Sequence, residues 1–446
     1  MRLNNFKEVS YRCFGVVLGA LSALPAHAAS SGAETDPSAV TSQAKALADK
    51  QADWEQPFVM ALYRDGEWGA VLNLDRLGLA AMEKQDYALA RKSFDEAIVR
   101  VEAIYANDAN ATKARSAFNE EKVKDFKGEP YERSMMYYYR GLLYVQEGDY
   151  QNARAAFLAA DRHDSLSSAE STTFTGSFGL MKYLAGWASQ CDSDSTRAAQ
   201  LIEESRAIDP KMQTLLEKPT NSIILIDYGI GPVKWGDGKY HEMLKFKASA
   251  GDEPTVSLND ASQSYTNPLL GGDVVLQATT RGGREIDGIM NGKAKFKGNA
   301  DATGDVAMLV GLQTAQAGIN SNNTGLANAG MFGMFVGLIA KGVAAATTPA
   351  ADLRGWDTLP GKIMVYQEEG LASKPLTLMV SDSPRQFLIQ VTSGKCSMAW
   401  GRTDSALSTS MGGHAQFADQ KPLEANRGDR NMAFREMLAN ELVTTK

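Results

Sequence analysis

The chain has 446 residues, of which 44% are hydrophobic and 22% are charged, and its formal net charge is −7. This composition is typical of a globular protein. The negative charge argues against binding to nucleic acid and against electrostatic docking on anionic lipid. The length is sufficient for two or three domains.

The N-terminus has the layout of a secretory signal peptide. Three basic residues flank or precede the apolar stretch Cys13–Leu24, which is too short to span a membrane. Ala26-His27-Ala28 provides the small residues that signal peptidase recognises. Residues 1–28 are therefore predicted to be cleaved, and the chain to be periplasmic. Because Ser10-Tyr11-Arg12 is not a lipobox, we do not expect a lipoprotein, although a lipid anchor at Cys13 and an uncleaved anchor remain alternatives.

Two cysteines, Cys191 and Cys396, remain after this cleavage. In an oxidising compartment they can pair and link the two halves of the chain. Two unpaired, buried thiols are the alternative. Their spacing is not that of a metal site.

The first half of the mature chain is predicted to be helical. Residues 29–43 are small, polar and proline-bearing, which predicts a disordered leader. Residues 44–218 are predicted to form a helical domain that contains two matching segments. Each has a glycine followed by tyrosine, alanine and phenylalanine at the same spacing: Gly78, Tyr87, Ala90 and Phe94 in the first, and Gly141, Tyr150, Ala153 and Phe157 in the second.

This spacing is typical of tetratricopeptide units, each of which consists of two antiparallel helices. The glycine lets the second helix approach closely, and the alanines and phenylalanine pack at helical spacing. The two copies are 63 residues apart rather than about 34, so an insert is expected at about Ala106–Glu132. A third, degenerate pair is expected over Phe174–Ala188 and Thr196–Ile208.

Beyond residue 219, β-branched runs indicate a different architecture. We predict an α+β domain over residues 219–446, with a helical insertion at about 300–348 and a helix near Arg430–Leu442, in a multidomain α+β chain. The predicted strands are Ser222–Tyr228, Leu244–Ala248, Asp273–Thr279, Ile363–Tyr366, Leu376–Val380 and Phe387–Val391.

The most apolar segment after the signal peptide is Met331–Ala340. Its uncharged run is shorter than the roughly 20 residues that a membrane span requires, so we do not expect it to span. A buried packing helix is the preferred interpretation. A hairpin that contacts membrane or mediates self-association, and a true span, are the alternatives.

Three stretches resemble an uncharacterised family of bacterial cell-envelope proteins with tetratricopeptide-like helices. They are Gly128–Tyr150, Asp227–Pro232 and Asp352-Leu353-Arg354-Gly355-Trp356-Asp357-Thr358-Leu359-Pro360. Members are often lipoproteins, encoded beside lipoprotein activators of penicillin-binding proteins. The resemblance covers roughly Ala70–Val380 and implies an envelope location and helix pairs. It supplies no known reaction and no catalytic residues.

The residues that usually carry chemistry form no recognisable set. His163, His241 and His414 lack metal-ligand spacing, and no Gly-x-Ser-x-Gly elbow occurs. The glycine-rich pieces lack the Lys-Ser/Thr of a phosphate loop. We therefore expect no catalytic residues, no cofactor and no metal.

Five residues are candidates for contact with a partner. Tyr137, Tyr138 and Arg140 lie on a predicted helix, where the aromatic rings either pack between repeats or face a groove. Arg354 and Trp356 alternate with Asp352, so Arg354 can stack on Trp356 and pair with Asp352, as a structural clasp or as a recognition surface.

Three charged residues, Glu129, Glu132 and Arg133, lie at a predicted helix start. Acids there suit the helix dipole, and a pair of glycosidase carboxylates is the alternative interpretation.

The sequence thus predicts a non-enzymatic binding or scaffold protein of the periplasm, whose tetratricopeptide-like groove holds a protein or peptide of the envelope, with a link to cell-wall assembly. One alternative is a structural subunit of a surface or secretion assembly. The other is an enzyme that acts on cell-wall polysaccharide.

Overall fold

The computed structural model describes most of the chain outside residues 1–36 and 280–351. The described ranges are 37–105, 124–165, 178–209, 220–237, 243–248, 255–266, 268–279, 352–368, 371, 376–380, 383–389, 391–407 and 427–443. They all belong to one compact unit, Thr35–Lys446. The predicted signal peptide, the insertion at about 300–348 and Met331–Ala340 lie outside the described residues.

The helices of the described part are α1 (Pro37–Ala48), α2 (Gln56–Glu83), α3 (Tyr87–Tyr105), α4 (Pro130–Gln146), α5 (Tyr150–Ser165), α6 (Gly179–Cys191), α7 (Ser195–Ile208), α8 (Val274–Thr279) and α9 (Gly428–Met437). A π-helical turn, Leu438–Leu442, continues α9. The prediction of a disordered leader up to residue 43 is wrong for α1. Its composition is small and polar, but Val40, Ala44 and Ala48 recur every four residues and form a buried stripe.

Six of these helices form three hairpins, α2/α3, α4/α5 and α6/α7, and each pair packs closely together. In every hairpin a glycine of the first helix lies against the residue sixteen positions later in the second. A Cβ on these glycines would lie 2.9 Å, 2.5 Å and 2.8 Å from the opposing side chain, so no larger residue fits without a shift. The three contacts are Gly78 with Phe94, Gly141 with Phe157 and Gly186 with Ile202.

The turns of the three hairpins also share one backbone geometry. Seven residues after the glycine stands a residue with positive φ: Gln85 (61°), Gly148 (75°) and Ser193 (69°). The aspartate that follows accepts a hydrogen bond from the backbone N–H three positions later: Asp86 from Leu89, Asp149 from Asn152 and Asp194 from Arg197. Capping by aspartate satisfies an N–H that the new helix leaves free. The expected third, degenerate pair is thus present as α6 and α7.

Where the structure describes the second half, its strands are β1 (Ser222–Tyr228), β2 (Val233–Asp237), β3 (Met243–Lys247), β4 (Val256–Asn259), β5 (Ser264–Tyr265), β6 (Leu269–Asp273), β7 (Lys362–Glu368), β8 (Leu376–Val380), β9 (Ser383–Ile389), β10 (Val391–Ser393) and β11 (Ser397–Arg402). They form a five-stranded sheet of order β10-β11-β1-β7-β6, a four-stranded sheet of order β5-β4-β8-β9 and the pair β2-β3. The fold is therefore mixed α+β, as predicted.

Strand β1 is buried on both faces, because the five-stranded sheet lies between the helices and the other sheet. Ile223 and Leu225 belong to the apolar cluster that includes the helices. Ile224 and Ile226 belong to the cluster that includes Leu378 of the four-stranded sheet. This explains why β1 is a continuous β-branched run without polar alternation.

The first helices of the hairpins contact the second half directly. Tyr183 on α6 accepts a hydrogen bond of 2.8 Å from Gln367 on β7. Trp187, also on α6, donates to the carbonyl of Thr220 just before β1. The α2, α4 and α6 side of the hairpin array, which we call the inner face, is therefore covered by the chain itself.

The predicted strand Asp273–Thr279 is wrong. The chain leaves β6 at Asp273 and forms the short helix α8, because the Asp273 carboxylate accepts the N–H of Leu276 at 2.8 Å. Val274 and Ala278 are both buried, at a spacing that fits a helix. The valines of this stretch suggested a strand, but the aspartate cap decides the local structure.

Replacement of Phe157 by alanine tests the hairpin geometry. Phe157 is fully buried against Gly141, so Phe157→Ala should lower the free energy of unfolding by about 3–5 kcal/mol. Val99→Ala on the exposed side of α3 is the control and should change it by less than about 0.5 kcal/mol. Equal denaturation midpoints for Phe157→Ala and the control would show that the hairpins are not packed in this way.

Candidate functional site

The segment Asp352–Pro360, which we call the Trp356 segment, lies against the inner face of the array. Its tryptophan is 2% exposed. The ring lies 5.6 Å from the ring of Tyr139 on α4 and 6.2 Å from that of Phe94 on α3, measured between centroids. The side chain thus anchors this segment between the first two hairpins.

Charged side chains hold the backbone of this segment. Arg76 on α2 donates to the carbonyl of Gly355 at 3.0 Å. The Glu132 carboxylate accepts the N–H of Trp356 at 2.8 Å. Lys234 on β2 donates to the carbonyl of Arg354 at 2.8 Å. The segment is thus held through its main chain as well as through its tryptophan.

Glu132 connects these contacts. It is the third residue of α4, and its second oxygen accepts the N–H of Glu129 at 2.7 Å in a capping box. The same oxygen lies 2.7 Å from the Lys234 ammonium, and both side chains are at most 4% exposed. Both carboxylate oxygens are therefore engaged by the backbone and by Lys234. This confirms the placement of Glu132 at a helix start and gives it a structural role.

Asp75 on α2 is a second buried carboxylate in this region. Burial raises the pKa of Asp75 well above its usual value, and the negative charge of Glu132 raises it further. Both causes favour the protonated form of Asp75.

Arg354 pairs with Asp352 as predicted, but the aromatic partner differs from the predicted one. Its guanidinium donates from Nε and Nη2 to the two oxygens of Asp352, at 2.9 Å and 2.7 Å. It also donates to the carbonyls of Trp68 and Lys124, at 2.7 Å and 2.8 Å. The ring beneath it is that of Trp68, 4.3 Å away, so the expected stacking on Trp356 is wrong. Trp356 points instead into the core.

The tyrosines and the arginine proposed for a partner groove are also interior. Tyr137 stacks on His163 at 4.9 Å between centroids and donates to Glu102 at 2.7 Å. Tyr138 is fully buried, and Arg140 pairs with Asp95 at 2.7 Å. Of the two interpretations given for the tyrosines, packing of the rings between helices fits these contacts. Tyr87, Ala90, Tyr150 and Ala153 lie in the two hairpins as their pattern predicts.

His163 is part of a buried chain of polar groups that the sequence did not reveal. Its Nδ1 accepts from Arg133 at 3.3 Å, so its proton is on Nε2, which lies 2.8 Å from Glu102. Burial, together with the nearby charge of Arg133, lowers the pKa of His163 to about 4. The imidazole is therefore neutral, and it joins α5 to α3 and α4. Within the described residues, no group of three potential ligands is placed to hold a metal ion.

Asp227, at the end of β1, is the other buried carboxylate that sequence analysis missed as a site. Tyr139 of α4 donates to it at 2.7 Å, which bonds the helical array to the central sheet. Burial raises the pKa of Asp227 to about 6, partly opposed by the Arg402 guanidinium and by the hydrogen bond from Tyr139. The aspartate lies near the end of an apolar strand. Nothing in the neighbouring sequence indicates that its partner is Tyr139, 88 residues earlier.

Cys191 and Cys396 form a disulfide that joins the end of α6 to the residue before β11. Tyr150, predicted to pack within its repeat, also donates to the carbonyl of Cys396 at 3.4 Å. The covalent link fixes the third hairpin to the start of β11, and the Tyr150 contact fixes the second hairpin to the same point.

Comparison of the chain with protein-family models, with curated proteins and with solved structures finds no match. Among the described helices, none has the length and apolar character needed to cross a membrane.

Replacement of Arg354 by lysine tests the clasp. Lysine keeps the charge but loses the planar fork that binds both Asp352 oxygens and two carbonyls. The free energy of unfolding should fall by roughly 1–3 kcal/mol, as for the loss of a charged hydrogen bond. Arg206→Lys at the exposed end of α7 is the matched control and should leave the denaturation midpoint unchanged. If Arg354→Lys and the control have equal denaturation midpoints, the contacts of Arg354 do not stabilise the fold.

Replacement of Asp227 by asparagine tests the interface between array and sheet. The folded pKa of about 6 exceeds the value of 3.8 for a free aspartate, so folding favours the protonated form. The stability from this group is complete below about pH 4 and lost as the pH rises through about 6. Wild type should therefore lose roughly 2 kcal/mol relative to Asp227→Asn between about pH 4 and pH 6. Asp429→Asn, on the surface of α9, is the control. Parallel pH profiles for wild type and Asp227→Asn would refute the assignment.

Proposed function

We propose that this chain is a tetratricopeptide-like scaffold protein of the bacterial cell envelope, which binds a protein partner and has no catalytic activity of its own. The observation that carries the proposal is the threefold repetition of one hairpin geometry. Glycine, positive-φ turn residue and capping aspartate recur at fixed spacing in α2/α3, α4/α5 and α6/α7. This is the arrangement expected of tetratricopeptide units, which serve mainly to hold other proteins.

The buried charges support a structural use of the polar residues. Glu132, Arg354 and Lys234 each direct their hydrogen-bonding groups to main-chain atoms, to one another or, for Arg354, to Asp352. A catalytic group would need access for a substrate, and all three side chains are at most 4% exposed. The interior network therefore favours a scaffold over a hydrolase.

We infer that the partner binds an outward surface of the molecule. Because the Trp356 segment and the five-stranded sheet cover the inner face, that face is not offered to a second protein. The outward surfaces carry exposed apolar side chains on α3, β2 and β8, namely Val99, Trp235 and Met379. Exposed apolar side chains of this kind can contact a bound protein.

A periplasmic location is part of the proposal. The predicted signal peptide directs export, and the Cys191–Cys396 disulfide is of a kind that persists in oxidising compartments. The resemblance to envelope proteins encoded beside activators of penicillin-binding proteins suggests a partner in cell-wall assembly.

Photo-crosslinking in intact cells tests the proposed function. A benzoylphenylalanine is placed singly at Val99, Trp235 or Met379 of the full-length chain, and cells are irradiated. We expect a discrete adduct with an envelope protein from one of the three positions and not from all of them. The same position in a Phe157→Ala background, where the second hairpin is weakened, should give less adduct.

Two outcomes would contradict the proposal. Absence of a discrete adduct at every position would argue against a stable partner. Clearing of peptidoglycan in a zymogram by the purified chain would favour the enzymatic alternative.

A further inference from the structure

Helix α2 is broken near its start. Gly66 has φ 55° and ψ −147°, so the helix consists of two segments, 56–65 and 67–83, which we call the first and second segments. A positive φ with this ψ is accessible to glycine and strained for other residues. A break of this kind leaves carbonyls at the end of the first segment and N–H groups at the start of the second without their usual helical partners.

Helix α9 supplies partners to both sides of the break. The side-chain oxygen of Asn431 accepts the N–H of Glu67, the first residue of the second segment, at 2.9 Å. Arg435 donates to the carbonyls of Tyr63 and Arg64 in the first segment, at 2.8 Å and 3.4 Å. One turn of α9 thus caps the end of one helix and the beginning of the next.

The fit at Gly66 is close. A Cβ on Gly66 would lie 2.5 Å from the Asn431 side-chain oxygen. The guanidinium of Arg435 also lies over the ring of Tyr63, 5.2 Å from its centroid. Glycine is therefore required both for its backbone conformation and for the space that Asn431 occupies.

The rest of α9 docks as an amphipathic helix in a groove. Its buried residues recur every three or four positions, which places them on one face. They are Arg427, Asn431, Phe434, Arg435, Leu438 and Leu442, whereas Asp429, Met432 and Glu436 face outward. Charged contacts flank the groove, where Arg430 binds Asp125 at 2.6 Å and Arg100 lies over the ring of Phe434.

We propose that α9 is a detachable strap that locks the break in α2, and that the groove around Gly66 is a binding site for an amphipathic helix of this pattern. With the strap docked, the first segment and α1, which packs on it, are held against the array. With the strap undocked, the capped groups at Gly66 lose their partners, and the first segment is free to turn about the glycine.

Hydrogen exchange of the full-length chain tests the strap. In Asn431→Ala/Arg435→Ala, the amides of residues 63–69 and of α1 should exchange at least tenfold faster, and those of α4, α6 and β1 should be unchanged. Met432→Ala/Glu436→Ala, on the outward face of the same helix, is the matched control and should leave every amide as in wild type. Unchanged exchange at residues 63–69 would show that α9 does not lock the break. Equally faster exchange throughout would make α9 an ordinary part of the core.

A peptide supplied in trans tests the groove. A synthetic peptide of residues 427–443, at millimolar concentration to match a tethered competitor, should restore slow exchange at residues 63–69 in the double variant. The same peptide with alanine at 431 and 435 should not restore it. Failure of the unmodified peptide would show that the groove does not bind a helix as a separate ligand.

Discussion

The buried carboxylate of Glu132 is the point on which both halves of the molecule depend. A carboxylate in the interior is tolerated only when its charge is paired and its oxygens are hydrogen-bonded. Glu132 obtains these partners from three places: the start of its own helix, Lys234 on β2 and the main chain of Trp356. Removal of Lys234 would leave the charge of Glu132 uncompensated in the core, and removal of either N–H contact would leave one of its hydrogen bonds unmade. The helical array, the β2–β3 pair and the Trp356 segment are therefore fixed together or not at all.

The same logic explains why the inner face of the array is closed. Tyr139 bonds to Asp227, Arg76 to Gly355 and Tyr183 to Gln367, so each hairpin contributes a polar contact to the second half. These directional contacts fix the relative position of the two surfaces, which apolar packing alone would not define. The disulfide adds a covalent link at the start of β11. The chain thus uses the inner face of its hairpins to position its own sheet.

The hairpins could be predicted from the sequence because their determinants are local. Gly141, its turn and Phe157 lie within one helical pair, and the spacing of these residue types is informative on its own. Contacts between distant parts of the chain were not predictable in the same way. Arg354 was expected beside Trp356, two residues away, but its guanidinium stacks on Trp68, 286 positions earlier. The sequence around Asp227 does not indicate that it binds Tyr139. The sequence around Gly66 does not indicate that Asn431 lies at the break.

The polar network contributes specificity more than stability. An ion pair as buried as Glu132–Lys234 gains little over well-packed apolar side chains, since desolvation offsets much of the attraction. Apolar residues, however, would not distinguish one register of the Trp356 segment from the next. The hydrogen bonds to the carbonyls of Arg354 and Gly355 and to the N–H of Trp356 admit one register only. Because the segment leads directly into β7, this register also sets how the five-stranded sheet lies on the array. The Trp356 segment thus binds to the helices of its own chain and positions the sheet on them.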